Sequence, residues 1–301
     1  MKTLKTLFIC SIIFIGFSAY GQSPVQGPDI YVYGYIEDYF SKDRLDSCVI
    51  EVFHNDVKLN SYPYDGIGAY EFYLKFDTLY TIEFSCPGCL NKHLSIDGRH
   101  IPKQVRRFGF SMGPVIIGLF EPLDDIDYSA FKNPMGRALF NDASETFDYD
   151  SLYNVLNRER TEKVMINHRA KLKAPIHLLI DNWHKAAAVA DEVSYFGSMT
   201  DDAIFLGTDK TERWEKGVFE KWAQPHFEKD KAWAFTAHDR VVYFDDDHQL
   251  AWFEELLDTW MGTCRGSGVI ELTDDGWKIK HYNLALLVDN DKMDKVIEVT
   301  K

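Results

Sequence analysis

The chain has 301 residues, of which 27% are charged and 46% are hydrophobic, and its formal net charge is −14. This acidic balance, without a basic cluster, argues against nucleic acid or anionic lipid as a partner. At roughly 150 residues per domain, the length predicts two domains, each large enough to form its own hydrophobic core.

Residues 1–21 have the pattern of a secretory signal peptide. Lys2 and Lys5 precede an apolar run over 7–17, and small residues lead to a cleavage site after Gly21. The run is too short to span a membrane, and no later stretch reaches about 18 apolar residues. We therefore expect an exported protein of the periplasm or cell envelope, with no membrane insertion after the signal is removed.

Residues 22–120 alternate as the strands of an antiparallel, all-β sandwich do. In the run AYEFYLKF, Tyr70, Phe72 and Leu74 fall on one face of a strand, and polar or charged residues separate them. Turn signals at Asp65-Gly66, Pro87-Gly88 and Asp97-Gly98 separate the strands. Their spacing suits the short strands of a sandwich.

Two runs of this segment carry a resemblance, GYIEDYFSKDRLDSCVIEVF and IGAYEFYLKFDTLYTIEFSCPGC. They are similar to the carboxypeptidase-regulatory-like, transthyretin-like sandwiches that precede other modules in exported proteins of Bacteroidota. The resemblance implies a non-catalytic adhesion or spacer module.

Cys86 and Cys89 enclose a C-P-G-C motif in the same segment. With His93 and His100 the spacing resembles a zinc arrangement, and the C-x-x-C alone resembles a thiol-disulfide motif. Neither has its usual context, because a redox C-x-x-C opens a helix and this one lies at a strand-end turn. We favour a local disulfide or two inert thiols, with zinc binding and redox chemistry as alternatives, and expect no metal or cofactor.

Residues 121–173 are predicted to form a linker and a connecting helix. The stretch 121–141 is acidic and broken by prolines, whereas 149–173 has a helix-forming, strongly charged composition. Pro175 then marks the start of a new helix, because proline is favoured in a first helical turn.

Residues 174–301 are predicted to form an α+β domain. Ile176, Ile180, Trp183 and Ala187 recur at spacings of three and four, which predicts one apolar face of a long helix. The later elements are a strand over 203–206, a helix over 215–224 that Pro225 ends, and strands over 232–240, 251–260, 266–272 and 276–288. Helices followed by a meander of strands favour helices packed on one face of a sheet.

Four runs of this segment carry the second resemblance: WHKAAAVADEVSYFGSMTDDAIFLGTDKTERW, FEKWAQPHF, AWFEELLDTWMGTCRGSGVI and GWKIKHYNL. They closely resemble the SnoaL-like branch of the nuclear-transport-factor-2-like superfamily, over about residues 176–297. The resemblance implies a cone-shaped barrel, in which a curved antiparallel sheet is covered by helices and encloses a cavity. Related members are isomerases, cyclases, dehydratases, or non-catalytic binding and dimerisation modules.

Alternation selects the residues of the concave face. Because Lys278 and Lys280 should face water, Trp277, His281 and Asn283 are expected to face the cavity.

On a preceding strand, Phe253 and Glu255 share a face, so Glu255 is expected to be buried, with Arg265 as the nearest cation by strand order. We interpret Glu255 as acceptor or general base, His281 as proton shuttle and Arg265 as anchor for an anionic or carbonyl group. The alternatives are a structural ion pair and an ordinary core histidine.

All seven tryptophans lie between Trp183 and Trp277, which is consistent with an aromatic-walled pocket. Further ligand-binding candidates are Trp183, Asp209, Trp214, Trp222 and His226. The alternatives are a helix N-cap for the aspartate, ordinary core for the tryptophans, a helix end for His226, and the pocket rim for His184.

The sequence thus predicts a domain that binds a small, partly apolar organic ligand. Cofactor-free acid/base catalysis of the isomerase, cyclase or hydratase type is the chemistry such a pocket would support. The alternative is a non-catalytic binding or dimerisation module of the cell envelope, which forms a homodimer.

Overall fold

The computed structural model describes residues 29–300, so the predicted signal peptide lies outside the described residues. The described chain divides into two compact units between Arg169 and Ala170. None of its helices is both long and apolar enough to cross a membrane.

The strands of the first unit form two sheets. Their bounds are β1 Asp29–Asp38, β2 Cys48–His54, β3 Val57–Tyr64, β4 Tyr70–Lys75, β5 Leu79–Ser85, β6 Lys92–Asp97, β7 Phe110–Leu119, β8 Gly136–Asn141 and β9 Thr146–Tyr149. One sheet has the order β4-β1-β7, and the other has the order β3-β2-β5-β6-β8-β9. Side chains from both sheets belong to one hydrophobic cluster. The unit is β-rich as predicted, and its sandwich architecture stays a prediction.

Alternation explains most of these strands. Tyr70, Phe72 and Leu74 are buried and their neighbours on β4 are exposed, which confirms the expected face. The pairs β1–β7 and β6–β8 are parallel, so the expectation of wholly antiparallel sheets was wrong. The segment 121–173, expected to be a linker and a helix, also supplies β8 and β9, because alternating apolar residues such as Ala138 and Phe140 allow it to join a sheet.

A long helix, α1, spans Ser151–Ala188. Asp150 Oδ1 accepts a hydrogen bond from the Tyr153 N–H and so caps its first turn. The expected new helix start at Pro175 was wrong, because the helix continues through this exposed proline.

The last part of α1 has the predicted apolar face in the second unit. Ile176, Ile180, Trp183 and Ala187 are all buried there, in the same hydrophobic cluster as residues of the sheet. This confirms the spacing argument and places the polar residues of neighbouring positions at the border of the core.

The second unit adds helices to one six-stranded sheet. Its bounds are α2 Glu192–Gly197, β10 Met199–Leu206, β11 Arg213–Glu215, α3 Lys216–Phe227, β12 Thr236–Phe244, β13 Leu250–Thr259, β14 Gly262–Thr273, β15 Gly276–Leu286 and α4 Met293–Thr300. The sheet order is β11-β10-β15-β14-β13-β12, and the pair β10–β15 is parallel whereas the others are antiparallel. This is the predicted α+β class, although α3 continues past Pro225, where the sequence predicted its end.

A bulge interrupts β12. Its register with β13 shifts between His238 and Val241, so that Asp239 and Arg240 together face Glu255. Asp239 has a φ of 53°, in the left-handed region that short polar residues tolerate. The extra residue turns the Arg240 side chain toward the inside of the unit.

A second bulge interrupts β15. Val269 pairs with His281 and the next residue of β14, Ile270, pairs with Ile279, so Lys280 is the extra residue. Because side chains alternate with a period of two, one extra residue exchanges the inner and outer faces of the strand beyond it.

Candidate acid-base site

The site is built around Glu255, which β13 places on the inner face of the sheet. The residue is 1% exposed, and Phe253 and Leu257 on the same face are also buried, as alternation predicted. Its Oε1 atom lies 2.7 Å from His184 Nε2, and its Oε2 atom lies 2.8 Å from Arg240 Nε. Glu255 therefore has two partners from two other elements.

These partners keep Glu255 ionised. Burial alone raises the pKa of this carboxyl group, but the hydrogen bonds and positive charges of His184 and Arg240 outweigh burial and hold the pKa below its usual range. The site therefore contains a desolvated carboxylate whose negative charge is compensated by neighbouring side chains of the protein.

Arg240 closes the site on one side, and the bulge in β12 aims it there. Its Nη1 atom donates to the His177 carbonyl oxygen at 3.1 Å and to Asp181 Oδ1 at 2.7 Å. The Asp181 side chain is 64% exposed whereas that of Arg240 is 8% exposed. The ion pair therefore runs from the buried carboxylate to the surface beside α1.

His184 lies on α1 at the border of the core, with a side chain that is 11% exposed. Because the ionised Glu255 can only accept hydrogen bonds, we assign the proton of this contact to His184 Nε2. Within residues 29–300, the Nδ1 atom of His184 has no hydrogen-bond partner. One ring nitrogen is thus held by a carboxylate, and the other is left for a further partner.

Two buried polar groups adjoin this cluster. Tyr282 Oη and Trp183 Nε1 have no hydrogen-bond partner among the described residues, and their rings meet edge to face with centroids 4.7 Å apart. Burial and the negative charge of Glu255 raise the pKa of the Tyr282 hydroxyl well above its ordinary value. Buried polar atoms without partners are uncommon in folded proteins, and a water molecule or ligand usually explains them.

Glycines on β14 make room for these groups. Gly266 pairs with Glu255, and a Cβ atom at Gly266 would lie 2.6 Å from Tyr282 Oη and 3.2 Å from Glu255 Oε1. A Cβ atom at Gly268 would lie 2.8 Å from the Phe253 ring. The Gly-Ser-Gly run therefore serves the packing of the site.

Aromatic rings fill much of the interior around the polar cluster. Close ring pairs there include Phe205–Phe219, with centroids 4.1 Å apart, Trp183–Tyr282 at 4.7 Å and Trp183–Tyr195 at 4.8 Å. A groove of about 570 Å³ lies elsewhere, between α2 and the start of α3, and includes Glu192, Asp201 and Glu220. None of the predicted site residues lines that groove, so we place the chemistry at the buried cluster.

The sequence of this unit matches one known family. Residues 176–289 match the family described as SnoaL-like domain. The second unit carries a SnoaL-like domain. No curated protein matches the chain.

Several solved structures are similar to a part of this chain at low sequence identity. A nuclear-transport-factor-2-like protein of unknown function from Pseudomonas putida has 14% identity, covers 41% of this chain and 92% of its own, and has a TM-score of 0.35. A nuclear-transport-factor-2-like protein from Cytophaga hutchinsonii has 18% identity, covers 37% and 95%, and has a TM-score of 0.32. A protein of unknown function from Mycobacterium tuberculosis has 13% identity, covers 45% and 83%, and has a TM-score of 0.36.

The cation and the histidine of the site differ from those that alternation selected. Arg265 is exposed on the outer face of the SnoaL-like domain, opposite Leu256, and Arg240 takes its expected place. His281 and Asn283 lie on the outer face as well, because the bulge at Lys280 inverts the strand beyond it. Their assignment to the cavity was wrong.

Trp183 and Trp277 lie on the inner side of the SnoaL-like domain, as predicted. Trp183 is buried, and Trp277 is partly buried against the core cluster, with its ring centroid 5.8 Å from that of Phe244. Trp183 thus belongs to the hydrophobic core cluster, and Trp277 packs against it.

Two of the tryptophans predicted to bind ligand lie on β11 and α3. Trp214 is partly buried and stacks on Trp222 at a centroid distance of 4.6 Å, and Trp222 approaches the His226 ring at 5.1 Å. Asp209 is exposed in the loop after β10, where its Oδ1 atom accepts a hydrogen bond from the Thr211 N–H at 2.8 Å. It shapes a turn and caps no helix.

The structure rules out the zinc alternative for the Cys-Pro-Gly-Cys motif, because Cys86 is part of a disulfide. Cys86 is bonded to Cys48 instead of Cys89, so the favoured local disulfide is not the one that this structure contains, and Cys89 is free. His93 lies 2.8 Å from Glu83 instead of a cysteine. Across residues 29–300, no group of three or more His, Cys, Asp or Glu side chains is arranged to hold a metal ion.

Sequence reasoning missed Arg240, Tyr282 and the role of His184. One signal was available for the first, since two consecutive charged residues, Asp239 and Arg240, interrupt the alternation of their strand. His184 follows the buried Trp183 on the predicted helix, which places it at the edge of the apolar face. No comparable signal marks Tyr282.

Proposed function

We propose that the SnoaL-like domain binds a small, partly apolar organic molecule beside His184 and performs cofactor-free acid/base chemistry on it, of the isomerase, cyclase or hydratase type. The hydrogen bond between His184 Nε2 and the ionised, buried Glu255 carries this proposal. A carboxylate that binds one imidazole nitrogen fixes the orientation of the ring, which leaves the other nitrogen to accept a proton from a ligand.

Tyr282 and Trp183 support the binding part of the proposal. Each has a buried O–H or N–H group that can donate to a ligand oxygen, and neither group has a partner among the described residues. The surrounding rings offer apolar contact, and a few polar groups in an apolar wall are typical of sites for small organic molecules. Arg240 already binds Glu255 and Asp181, which favours a neutral ligand.

A neutral bicyclic ketone, 2-tetralone, tests both parts. Nuclear magnetic resonance in D₂O measures deuterium exchange at its α carbon, and tryptophan fluorescence measures binding. We expect the protein to accelerate the exchange and His184→Gln to reduce that acceleration by about 100-fold, the usual contribution of a general base. The tryptophan fluorescence of His184→Gln should still change to a saturating value as 2-tetralone is added, because the variant still binds the ketone.

His281→Gln is the matched control, because this histidine lies on the outer face of the same sheet. This variant should accelerate deuterium exchange of the ketone as much as the wild type does. Equal rates for the two variants would reject His184 as the base, and a fluorescence signal that does not saturate would reject the binding site.

The outer face of the sheet favours a second function, a non-catalytic dimerisation module. A cross-strand row of side chains runs over this face, and we call it the outer row: Tyr243, Trp252, Val269, His281 and Ile204. Tyr243 is 41% and Trp252 is 44% exposed, and their rings stack at 5.8 Å. Exposed apolar patches of this kind mark interaction surfaces, and the packed rings of the interior also fit a binding module.

Light scattering across a range of protein concentrations tests the second function. We expect a homodimer that Trp252→Glu converts to a monomer, because a charge in the outer row would be buried at the interface. Trp222→Glu is the control, since Trp222 on α3 is also 44% exposed. A monomeric wild type, or a dimer that Trp252→Glu leaves intact, contradicts dimerisation through this face.

We also propose that the protein is exported and that its first unit is a non-catalytic, transthyretin-like spacer. The charged and apolar pattern of residues 1–21 supports export, and a Cys48–Cys86 disulfide fits an oxidising compartment. N-terminal sequencing of protein from fractionated cells should find a periplasmic or envelope chain that begins at Gln22. A cytoplasmic chain beginning at Met1 contradicts this.

A further inference from the structure

Three cysteines lie at one end of the β2–β5 pair in the first unit. Cys48 precedes Val49, which pairs with Ser85, so the Cys48–Cys86 disulfide links the start of β2 to the end of β5. Cys89 carries a free thiol and packs against the hydrophobic cluster that contains both bonded cysteines. A thiol and a disulfide thus share one small region.

Cys86 and Cys89 are the ends of a tight turn. The Cys89 N–H donates to the Cys86 carbonyl oxygen at 3.1 Å, and Gly88, after Pro87, has a φ of 78°. These are features of a type II turn, whose first and fourth Cα atoms lie within about 7 Å. Disulfides bridge Cα atoms about 4.4 to 6.8 Å apart, so Cys89 can bond to Cys86 without refolding of the segment.

We propose that Cys86 exchanges disulfide partners between Cys48 in a resting form and Cys89 in a second form. The Cys89 thiolate attacks the Cys86 sulfur, the Cys86–Cys89 bond forms, and the Cys86–Cys48 bond breaks. Cys48 leaves as a thiolate and takes up the proton that Cys89 lost. One disulfide and one thiol are present before and after the step, so it consumes no oxidant or reductant.

The exchange moves a cross-link from two strands into one turn. The Cys48–Cys86 bond joins residues 38 positions apart, whereas Cys86–Cys89 closes only the turn itself. A disulfide that closes a longer loop restricts the unfolded chain more. The second form therefore holds β2 and β5 together less firmly and makes this end of the first unit the part that opens.

The surroundings of Cys89 slow the exchange at neutral pH. Burial raises the pKa of the Cys89 thiol, as do the charges of Asp38 and Glu121, against the opposing charge of Lys92. Because only the thiolate attacks, the rate of exchange should rise about tenfold per pH unit while the thiol form predominates.

Cysteine mapping of the full chain tests the exchange. Dilute protein is incubated without added thiol at pH 7, 8 and 9, quenched with acid and alkylated with N-ethylmaleimide in guanidinium chloride at low pH. Mass spectrometry then measures the labelled fraction of each cysteine. We expect label to appear on Cys48 and to decrease on Cys89 by the same fraction, at a rate about 100-fold higher at pH 9 than at pH 7.

Two variants decide the mechanism. Cys89→Ser should leave Cys48 unlabelled at every pH, and Cys264→Ala, which removes the other free thiol of the described chain, should exchange at the wild-type rate. Full labelling of Cys89 with none on Cys48 at pH 9 overturns the proposal. Labelling of Cys48 in Cys89→Ser overturns it as well, because another route would then open the bond.

Discussion

β13 and its neighbours in the sheet of the second unit differ in regularity. β13 pairs with β14 over ten residues without a shift, and plain alternation turns Glu255 and Phe253 inward. β12 and β15 each contain a bulge, and Arg240 and Tyr282 face inward only because of it. Regular pairing thus places the carboxylate of the site, whereas irregular pairing places Arg240 and Tyr282 beside it. Bulges are common next to functional sites, where they re-aim a side chain.

Deletion of Lys280 should have the largest effect on this arrangement. Without the extra residue, regular alternation would turn Tyr282 outward and His281 inward. We expect the free energy of unfolding, measured with urea, to fall by more than about 4 kcal/mol. Lys280→Ala keeps the residue count and loses only exposed pairs with Asp202 and Glu271, so it should cost about 1 kcal/mol or less. Equal stability of the two variants would contradict the role of the bulge.

Glu255→Gln should have the next largest effect. It leaves Arg240 largely buried without its main counter-charge, and loss of one partner of such a pair costs about 3 to 5 kcal/mol. Glu254→Gln is the control on the regular strand, since Glu254 faces the opposite, exposed side. We expect its free energy of unfolding, measured with urea, to match that of the wild type within about 0.5 kcal/mol. Similar losses in both variants would show that burial of Glu255 is not what matters.

Gly266→Ala should cost about 1 to 3 kcal/mol, because the added methyl group overlaps the Tyr282 hydroxyl and the Glu255 side chain. Gly217→Ala in α3 provides the contrast, since no atom lies within 4 Å of its added Cβ atom. Alanine favours a helix by about 1 kcal/mol over glycine, so this variant should be slightly stabilised. Thermal unfolding of both variants measures the difference, and a neutral Gly266→Ala would mean that the site has spare room.

Acid should produce the smallest and most gradual change. The folded pKa of Glu255 lies below its unfolded value of about 4.3, so its ionised form stabilises the fold above that pH. This contribution is lost as the pH falls through the folded pKa. Urea unfolding from pH 6 to 3 should therefore show the gap between wild type and Glu255→Gln narrowing below about pH 4. A difference in stability between wild type and Glu255→Gln that does not change with pH would contradict the conclusion that Glu255 is ionised in the folded protein.

The sequence allowed prediction of the elements in which apolar residues recur at one regular spacing. The apolar face of α1 and the inner face of β13 follow from spacing alone, and they correctly identified Trp183, Phe253 and Glu255 as interior residues. The partners of Glu255 could not be identified in this way, because His184 lies 71 positions away and reaches it only through the fold.

Two specific features caused the errors in the site. The inner positions of β14 include glycines Gly266 and Gly268, which have no side chain to reveal an apolar face, so Arg265 was placed on the wrong side. His281 was also placed on the wrong face, because the alternation of β15 does not continue regularly across the extra residue Lys280. Disulfide pairing likewise cannot be deduced from spacing, and Cys86 bonds to a distant partner.

The extra residue of β15 also affects how residue roles can be transferred between related proteins. A relative whose strand lacks the bulge is one residue shorter there, and its alignment with this chain needs a gap at Lys280. Without that gap, His281 would occupy the column of an interior side chain, and Tyr282 would occupy the column of a surface one. Comparison of site residues across such proteins should therefore start from β13. This strand pairs with β14 without a bulge, so each aligned position stays on the same face of the sheet.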